Sequence, residues 1–317
     1  MITSRNRIAI AEDEPIDRLP ARLVQDLHAA FGEHHARAVH AKGTIVRGAF
    51  TPDPGAANLC RAQLFREHQV PVVARFSNFT GLPHIPDNEI TANPRGLAIK
   101  FLMPDGSNLD IVNHSFNGFP VSTSEEFSQL LQAIAGSDGE PTPGSDLERF
   151  LANHPAAKAF LTTQNTIPDS WATTSYYSVN AVQFTNDRGE IRFARYQFVP
   201  QTGEQHRLAP ETTAVGPDFL LQEMDSRISA GPIRFTWYAQ LAENTDVVDD
   251  PAITWPDDRP RVPLGVLTIT EAGPNSAEAD QALAFMPGTL PPGIEAADPM
   301  LTIRNASYPY SFRDRNR

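Results

Sequence analysis

Three clusters in the chain combine residue types that can do chemistry. The first runs Glu33-His34-His35-Ala36-Arg37-Ala38-Val39-His40-Ala41-Lys42-Gly43. Closely spaced histidines suit a metal site. The same pattern also suits a solvated helix end, where His and Arg favour the C-terminal dipole. His35 and His40 match one helical face poorly, and no His-Glu-x-x-His pattern is present. The second cluster is Arg75-Phe76-Ser77 after an apolar run, followed by Asn93-Pro94-Arg95-Gly96. An arginine closing a buried strand needs an anionic partner, because an unpaired buried charge is very costly. Either a protein carboxylate or a ligand carboxylate or phosphate meets that need. The third cluster is Asp298-Pro299-Met300-Leu301, then Arg304-Asn305-Ala306-Ser307-Tyr308-Pro309, then Arg313 and Arg315. On a helix Arg304 and Tyr308 are i, i+4 and would touch. A guanidinium against a phenol stabilises the phenolate, a hard anionic metal ligand. The plainer alternative is a surface Arg–Tyr pair, and Pro309 biases Tyr308 away from the helical conformation.

Periodicity gives the elements that must position these clusters. Leu19, Leu23, Leu27 and Phe31 share one face of a helix predicted from Asp17 to Arg37. Ala38 to Phe50 reads as extended and Ala56 to Glu67 as helical. Val70–Phe76 and Leu97–Met103 read as strands, and Pro104-Asp105-Gly106 turns the chain into Leu109–Val112. Ser124 to Ala135 is a helix capped at residues 122–124, with Glu125 and Glu126 in its first turn. Asp146 to Thr163 reads as one helix. Tyr176–Thr185 and Glu190–Pro200 flank Asn186-Asp187-Arg188-Gly189 as a hairpin. Pro217–Ile228 is helical, and Ile233–Leu241 and Val266–Thr270 are strands. Strands with turn signals beside separate helical blocks argue for an α+β fold built on an antiparallel barrel or sheet.

Composition excludes several classes. The chain has 317 residues, 26 Lys+Arg and 38 Asp+Glu, a formal net charge of −12. That field repels phosphate backbones, so nucleic acid is not an expected partner. No apolar run approaches the ~20 residues of a membrane helix, so no membrane association is expected. The first residues show no signal-peptide pattern, which points to the cytoplasm. The lone Cys60 rules out an internal disulfide and any multi-cysteine metal site. It reads as a buried, inert thiol. The 28 prolines are spread along the chain, which suggests ordered loops rather than a linker.

In order and approximate spacing, the chemical clusters resemble the haem catalase family. The matching residues are His-Ala-Lys-Gly at 40–43, Arg75-Phe76-Ser77, Pro94-Arg95-Gly96 and Asp110-Ile111-Val112. Phe285-x-Pro287, Pro291-Pro292-Gly293-Ile294-Glu295 and Arg304-x-x-x-Tyr308-Pro309 follow. Trp255-Pro256, after Asp249-Asp250-Pro251, resembles a further family segment. The resemblance runs from about residue 20 to 315. It implies an antiparallel β-barrel of about eight strands with surrounding helices, as one domain over 1–317 with an N-terminal arm at 1–18.

The resemblance also implies roles. His40 is the expected distal acid–base, with Val39 before it and Ser77 as its hydrogen-bond partner. Arg37, Arg75 and Arg315 would pair with the haem propionates, and Phe127 would stack on the haem. Tyr308 would ligate the iron, with Arg304 as phenolate partner. The cofactor implied is haem b (iron protoporphyrin IX). The implied substrate is hydrogen peroxide or an organic hydroperoxide, with an organic electron donor in a peroxidase cycle. A neutral imidazole in reach of peroxide can take a proton from one oxygen and return it to the other.

Some positions depart from the family pattern. The family's distal asparagine falls at His114, so the amide role goes to Asn113, to Asn117 or to His114 itself. Asn93 stands at a channel aspartate, Phe79 at a channel valine and Phe312 at a histidine near the propionates. The longer N-terminal arm, wrapping region and C-terminal helical domain of large catalases have no counterpart. The expectation is a minimal catalase-related peroxidase, a homo-oligomer and by inference a dimer. Two alternatives are an allene-oxide-synthase-like enzyme that rearranges hydroperoxides and a non-catalytic haem-binding barrel.

Overall fold

The structure, a computed structural model, describes residues 19–207, 214–275 and 277–317. The expected arm at 1–18 lies outside the described residues. Eight antiparallel strands form the body: β1 (Gly43–Pro52), β2 (Val70–Ser77), β3 (Gly96–Leu102), β4 (Asn108–His114), β5 (Tyr176–Thr185), β6 (Ile191–Pro200), β7 (Ile233–Leu241) and β8 (Arg261–Ala272). Around the ring the order is β5-β4-β3-β2-β1-β8-β7-β6, and the β5–β6 hairpin closes it. A short strand β9 (Ile294–Ala296) pairs with β5. Closure leaves the ring without free edges.

Alternation sorts each strand's residues between the core and the site. Val72, Ala74 and Phe76 of β2 point into the core, as do Ile99 and Phe101 of β3 and Leu109 and Ile111 of β4. At the centre, Phe50, Phe65, Phe101, Tyr196 and Phe198 surround Trp237 with ring centroids 5.1 to 5.6 Å away. Such aromatic pairs add about 0.5–1.5 kcal/mol each beyond area burial. By the same period of two, Arg75 and Ser77 take the outer face of β2.

The helices are α1 (Leu19–Phe31), α2 (Ser124–Ala135), α3 (Asp146–Asn153), α4 (Pro155–Thr162), α5 (Phe219–Ala230), α6 (Ala277–Ala282) and α7 (Pro299–Arg315). Helix α2 matches the predicted bounds and starts with a capping box, the Thr123 hydroxyl accepting from Glu126 N and the Glu126 carboxylate accepting from Thr123 N. Helix α1 packs against α2 and α7.

Four expectations are corrected. Helix α1 ends at Phe31, because Gly32 takes φ +85°, so Arg37 lies in a loop. The helix expected over Ala56–Glu67 is a single turn (Ala56–Leu59) and a separate 3-10 turn (Gln63–Arg66). The helix expected over Asp146–Thr163 divides at His154, because Pro155 cannot continue a hydrogen-bonded helix but suits the first position of a new one. Pro309 does not end α7, which continues to Arg315. Packing of α7 against α1 and α2 offsets the ~3 kcal/mol an interior proline costs.

Candidate functional site

A cavity of about 200 Å³ lies between the outer face of β2–β4 and helices α1, α2 and α7. One water needs roughly 10–15 Å³ on the same measure, so this is a built site rather than a packing defect. Eleven of the residues singled out from the sequence line it: Arg37, Val39, His40, Arg75, Ser77, Asn113, His114, Phe127, Arg304, Tyr308 and Arg315. Phe79 and Phe312 line it as well. Asn117 does not; its carbonyl accepts from Thr254 Oγ1 at 3.1 Å. Asn93 turns away, its amide donating to Thr166 O at 2.8 Å. His34 and His35 are exposed, so the first cluster splits between a solvated loop and one cavity residue.

His40 sits in a left-handed backbone conformation, φ +59°, which is uncommon outside glycine. Four hydrogen bonds to the backbone of His40 and Ala41 hold it there. His40 N donates to Phe79 O at 2.7 Å, and Ala41 N donates to Thr80 O at 3.0 Å. The Arg75 guanidinium donates to His40 O and Ala41 O, both at 2.8 Å. Ser77 Oγ lies 3.0 Å from His40 Nδ1, leaving Nε2 for a ligand. Gly96 makes the arrangement possible, since a Cβ there would lie 2.4 Å from Ser77 Oγ and 2.6 Å from His40 Nδ1. Burial pushes the His40 imidazole down to about 3, helped by His114, Arg75 and Arg304. Burial and Arg304 push His114 down to about 3 as well. Both rings are therefore neutral near pH 7.

At one end of the cavity three guanidiniums gather around Asp280 of α6. Arg37 Nη1 donates to Asp280 Oδ2 at 2.7 Å and Arg75 Nε donates to Asp280 Oδ1 at 2.6 Å. Arg37 and Arg315 each donate to Leu283 O at 2.7 Å. The anionic partner that Arg75 required is thus a protein carboxylate. The three guanidiniums donate to the Asp280 carboxylate and to the backbone carbonyls of His40, Ala41, Asp280, Gln281 and Leu283. Burial, then Arg75 and Arg315, drive the Arg37 guanidinium well below its usual range. Burial also takes Arg315 down to about 10. A cluster of guanidiniums suits a ligand with two carboxylates.

Across the cavity, α7 carries Arg304 and Tyr308 one turn apart. Arg304 Nη1 donates to Asn180 Oδ1 on β5. Asn180 Nδ2 donates to Asp298 Oδ2 at 2.6 Å, and Asp298 Oδ1 caps α7 by accepting from Met300 N at 2.9 Å. The helix cap and the arginine's orientation thus share one carboxylate. Sequence reasoning missed Asp280 and Asn180, whose partners lie 205 and 124 positions away along the chain. Cys60 is buried and donates to Gly293 O at 3.3 Å, and burial pushes its thiol up to about 11.

The Catalase family model matches residues 24–316. A catalase-related peroxidase of Synechococcus elongatus is 34% identical over 305 residues, 94% of this chain and 89% of that protein. One of Mycolicibacterium paratuberculosis is 36% identical over 281 residues, 87% and 88% of the two chains. Catalase-1/2 of Glycine max is 27% identical over 303 residues, and the match spans 60% of it. Among solved structures, a fungal catalase superposes with TM-score 0.77 at 23% identity, covering 98% of this chain and 65% of that one. Catalase A from Saccharomyces cerevisiae gives 0.76 at 22%, covering 98% and 67%. Family match, barrel and cavity agree, and this chain belongs to the catalase family.

Proposed function

We propose that this chain is a haem-dependent hydroperoxidase that acts on hydrogen peroxide or an organic hydroperoxide. The observation that carries the reading is one cavity shared by His40–Ser77, the arginine cluster and Tyr308. The residues fit haem b on two counts. The gathering of the Arg37, Arg75 and Arg315 guanidiniums at one end of the cavity suits two propionates. Tyr308 offers a phenol oxygen from α7 across the same cavity, and Val39 and Phe127 offer apolar faces. When bound, haem b would supply a Lewis-acidic iron and the oxidising equivalents for peroxide chemistry.

The chain's own groups handle the proton. His40 Nε2 takes a proton from one peroxide oxygen and returns it to the departing oxygen. Its low proton affinity keeps the ring in the accepting form at neutral pH. Ser77 holds the ring through Nδ1, and Arg75 ties the His40 backbone to the propionate end. At the end of β4, His114 and its neighbour Asn113 both line the same cavity. Arg304, oriented by Asn180, places positive charge near both imidazoles.

The test is purification with haem, followed by its absorption spectrum, oxygen release from peroxide and oxidation of an organic donor. The expected result is a high-spin ferric tyrosinate-type spectrum with peroxide turnover. Unchanged turnover in His40→Ala with haem retained would refute the acid–base role.

A further inference from the structure

The outer face of the barrel places three residues in one row under the cavity. Ser77 is paired with Gly96, and Gly96 is paired with His114, across β2, β3 and β4. His40 lies over the glycine in the middle, within 2.6 Å of where its Cβ would be. Ser77 and His114 therefore flank His40 from the two neighbouring strands. Strand alternation puts His114 on the face of Val112, which lines the cavity, and Asn113 on the face of Leu109 and Ile111, which fill the core.

Hydrogen bonding assigns the two neighbours opposite capacities. Phe116 N donates to His114 Nδ1 at 3.3 Å. A backbone N–H can only donate, so Nδ1 is the bare nitrogen and Nε2 carries the hydrogen. That Nε2 is buried and has no hydrogen-bond partner. Asn113 Nδ2 donates to Leu97 O at 3.1 Å, which commits one of its two amide hydrogens to the carbonyl of a core residue on β3. Its buried Oδ1 is left unpartnered and can only accept. A buried donor without a partner calls for an explanation, and for His114 Nε2, on the cavity face, a ligand in the cavity is one.

We propose that His114 is a catalytic residue of this site. Its Nε2–H donates a hydrogen bond to the substrate oxygen that faces His40, while Asn113 plays no donor part. The two imidazoles then divide the work: His40 moves the proton and His114 holds the oxygen that receives it. The inference rests on the hydroperoxidase reading.

The test uses fluoride, an anion that binds ferric haem and accepts hydrogen bonds. Fluoride is titrated into the haem-loaded wild type, His114→Leu, His114→Asn and Asn113→Ala, with haem content and circular dichroism as controls. Loss of a hydrogen bond to an anion weakens binding by about 10- to 100-fold, which is the loss expected for His114→Leu. His114→Asn, which still offers an N–H donor, is expected to stay within a few-fold of wild type, as is Asn113→Ala. If His114→Leu does not hold haem, His114→Met carries the same comparison. Wild-type fluoride affinity in the donor-free variant overturns the proposal, as does a loss that appears in Asn113→Ala instead. Fluoride affinity reads the donor and wild-type peroxide turnover reads the reaction, so the two readings fail separately.

Discussion

Gly96→Ala is the sharpest test of how the site is built. The new Cβ would lie 2.4 Å from Ser77 Oγ, 2.6 Å from His40 Nδ1 and 2.8 Å from His40 Cε1. Ordinary contact begins near 3.4 Å, so Ser77 must retreat by 3.4 − 2.4 = 1.0 Å and His40 by 3.4 − 2.6 = 0.8 Å. Both displaced atoms belong to the 3.0 Å Ser77–His40 contact. Extra methyl groups in tight packing cost about 1–3 kcal/mol. Misplacing a catalytic group by ~1 Å can cost about 10²-fold in rate. The expected outcome is a modest loss of stability in urea unfolding and a fall of about 100-fold in kcat/KM for peroxide, with haem retained. The double change Ser77→Gly plus Gly96→Ala removes the closer contact but not the one at His40. It should recover stability without recovering rate. A Gly96→Ala protein that keeps haem, unfolds within about 0.5 kcal/mol of wild type and turns over within about twofold refutes the reasoning.

Other outcomes follow from the buried charges. Burial pushes the Asp280 carboxyl up, but Arg75 and Arg37 outweigh it and hold the group below its usual range. Its contribution is present above the ordinary carboxyl pKa and is lost as pH falls through the lowered one. The melting-temperature gap between wild type and Asp280→Asn should therefore be widest near neutrality and close in acid. His40 and His114, held neutral down to about 3, act in the opposite sense to a salt-bridged histidine. Unfolding exposes rings that bind protons near pH 6.5, so stability falls as pH drops below that, by roughly 1.4 kcal/mol per pH unit for each ring. Urea unfolding between about pH 4.5 and 6.5 should show a shallower slope for His114→Asn, by about one proton. Burial raises the Cys60 thiol to about 11, so iodoacetamide at pH 8 should label the unfolded chain and spare the native one. Equal labelling rates would contradict its burial.

Elements whose signal is local were legible in the chain. Helix α2 announces itself by Thr123, Glu126 and a clean apolar stripe. The β5–β6 hairpin does so by its Asn186–Gly189 turn, and β7 by alternation over Ile233–Leu241. The lining of the cavity was legible too, because motif residues at 37–40, 75–77 and 304–315 carry a family pattern that survives without any contact information. Helix ends were less so. Gly32 stops α1 early, and Pro309, a strong local breaker, is overruled by packing of α7.

Tertiary structure alone decided which partners the cavity residues have. Asp280 joins the arginines only because α6 folds back over the cavity, and Asn180 reaches Arg304 only because the barrel brings β5 up to α7. Contacts over such chain distances leave no periodicity to read. Between Asn113 and His114, adjacent in sequence and both polar, the choice turns on strand parity and on two backbone partners, Leu97 O and Phe116 N. Residue types determine which hydrogen bonds are available. The closed barrel determines which of them is already spent and which still faces the cavity.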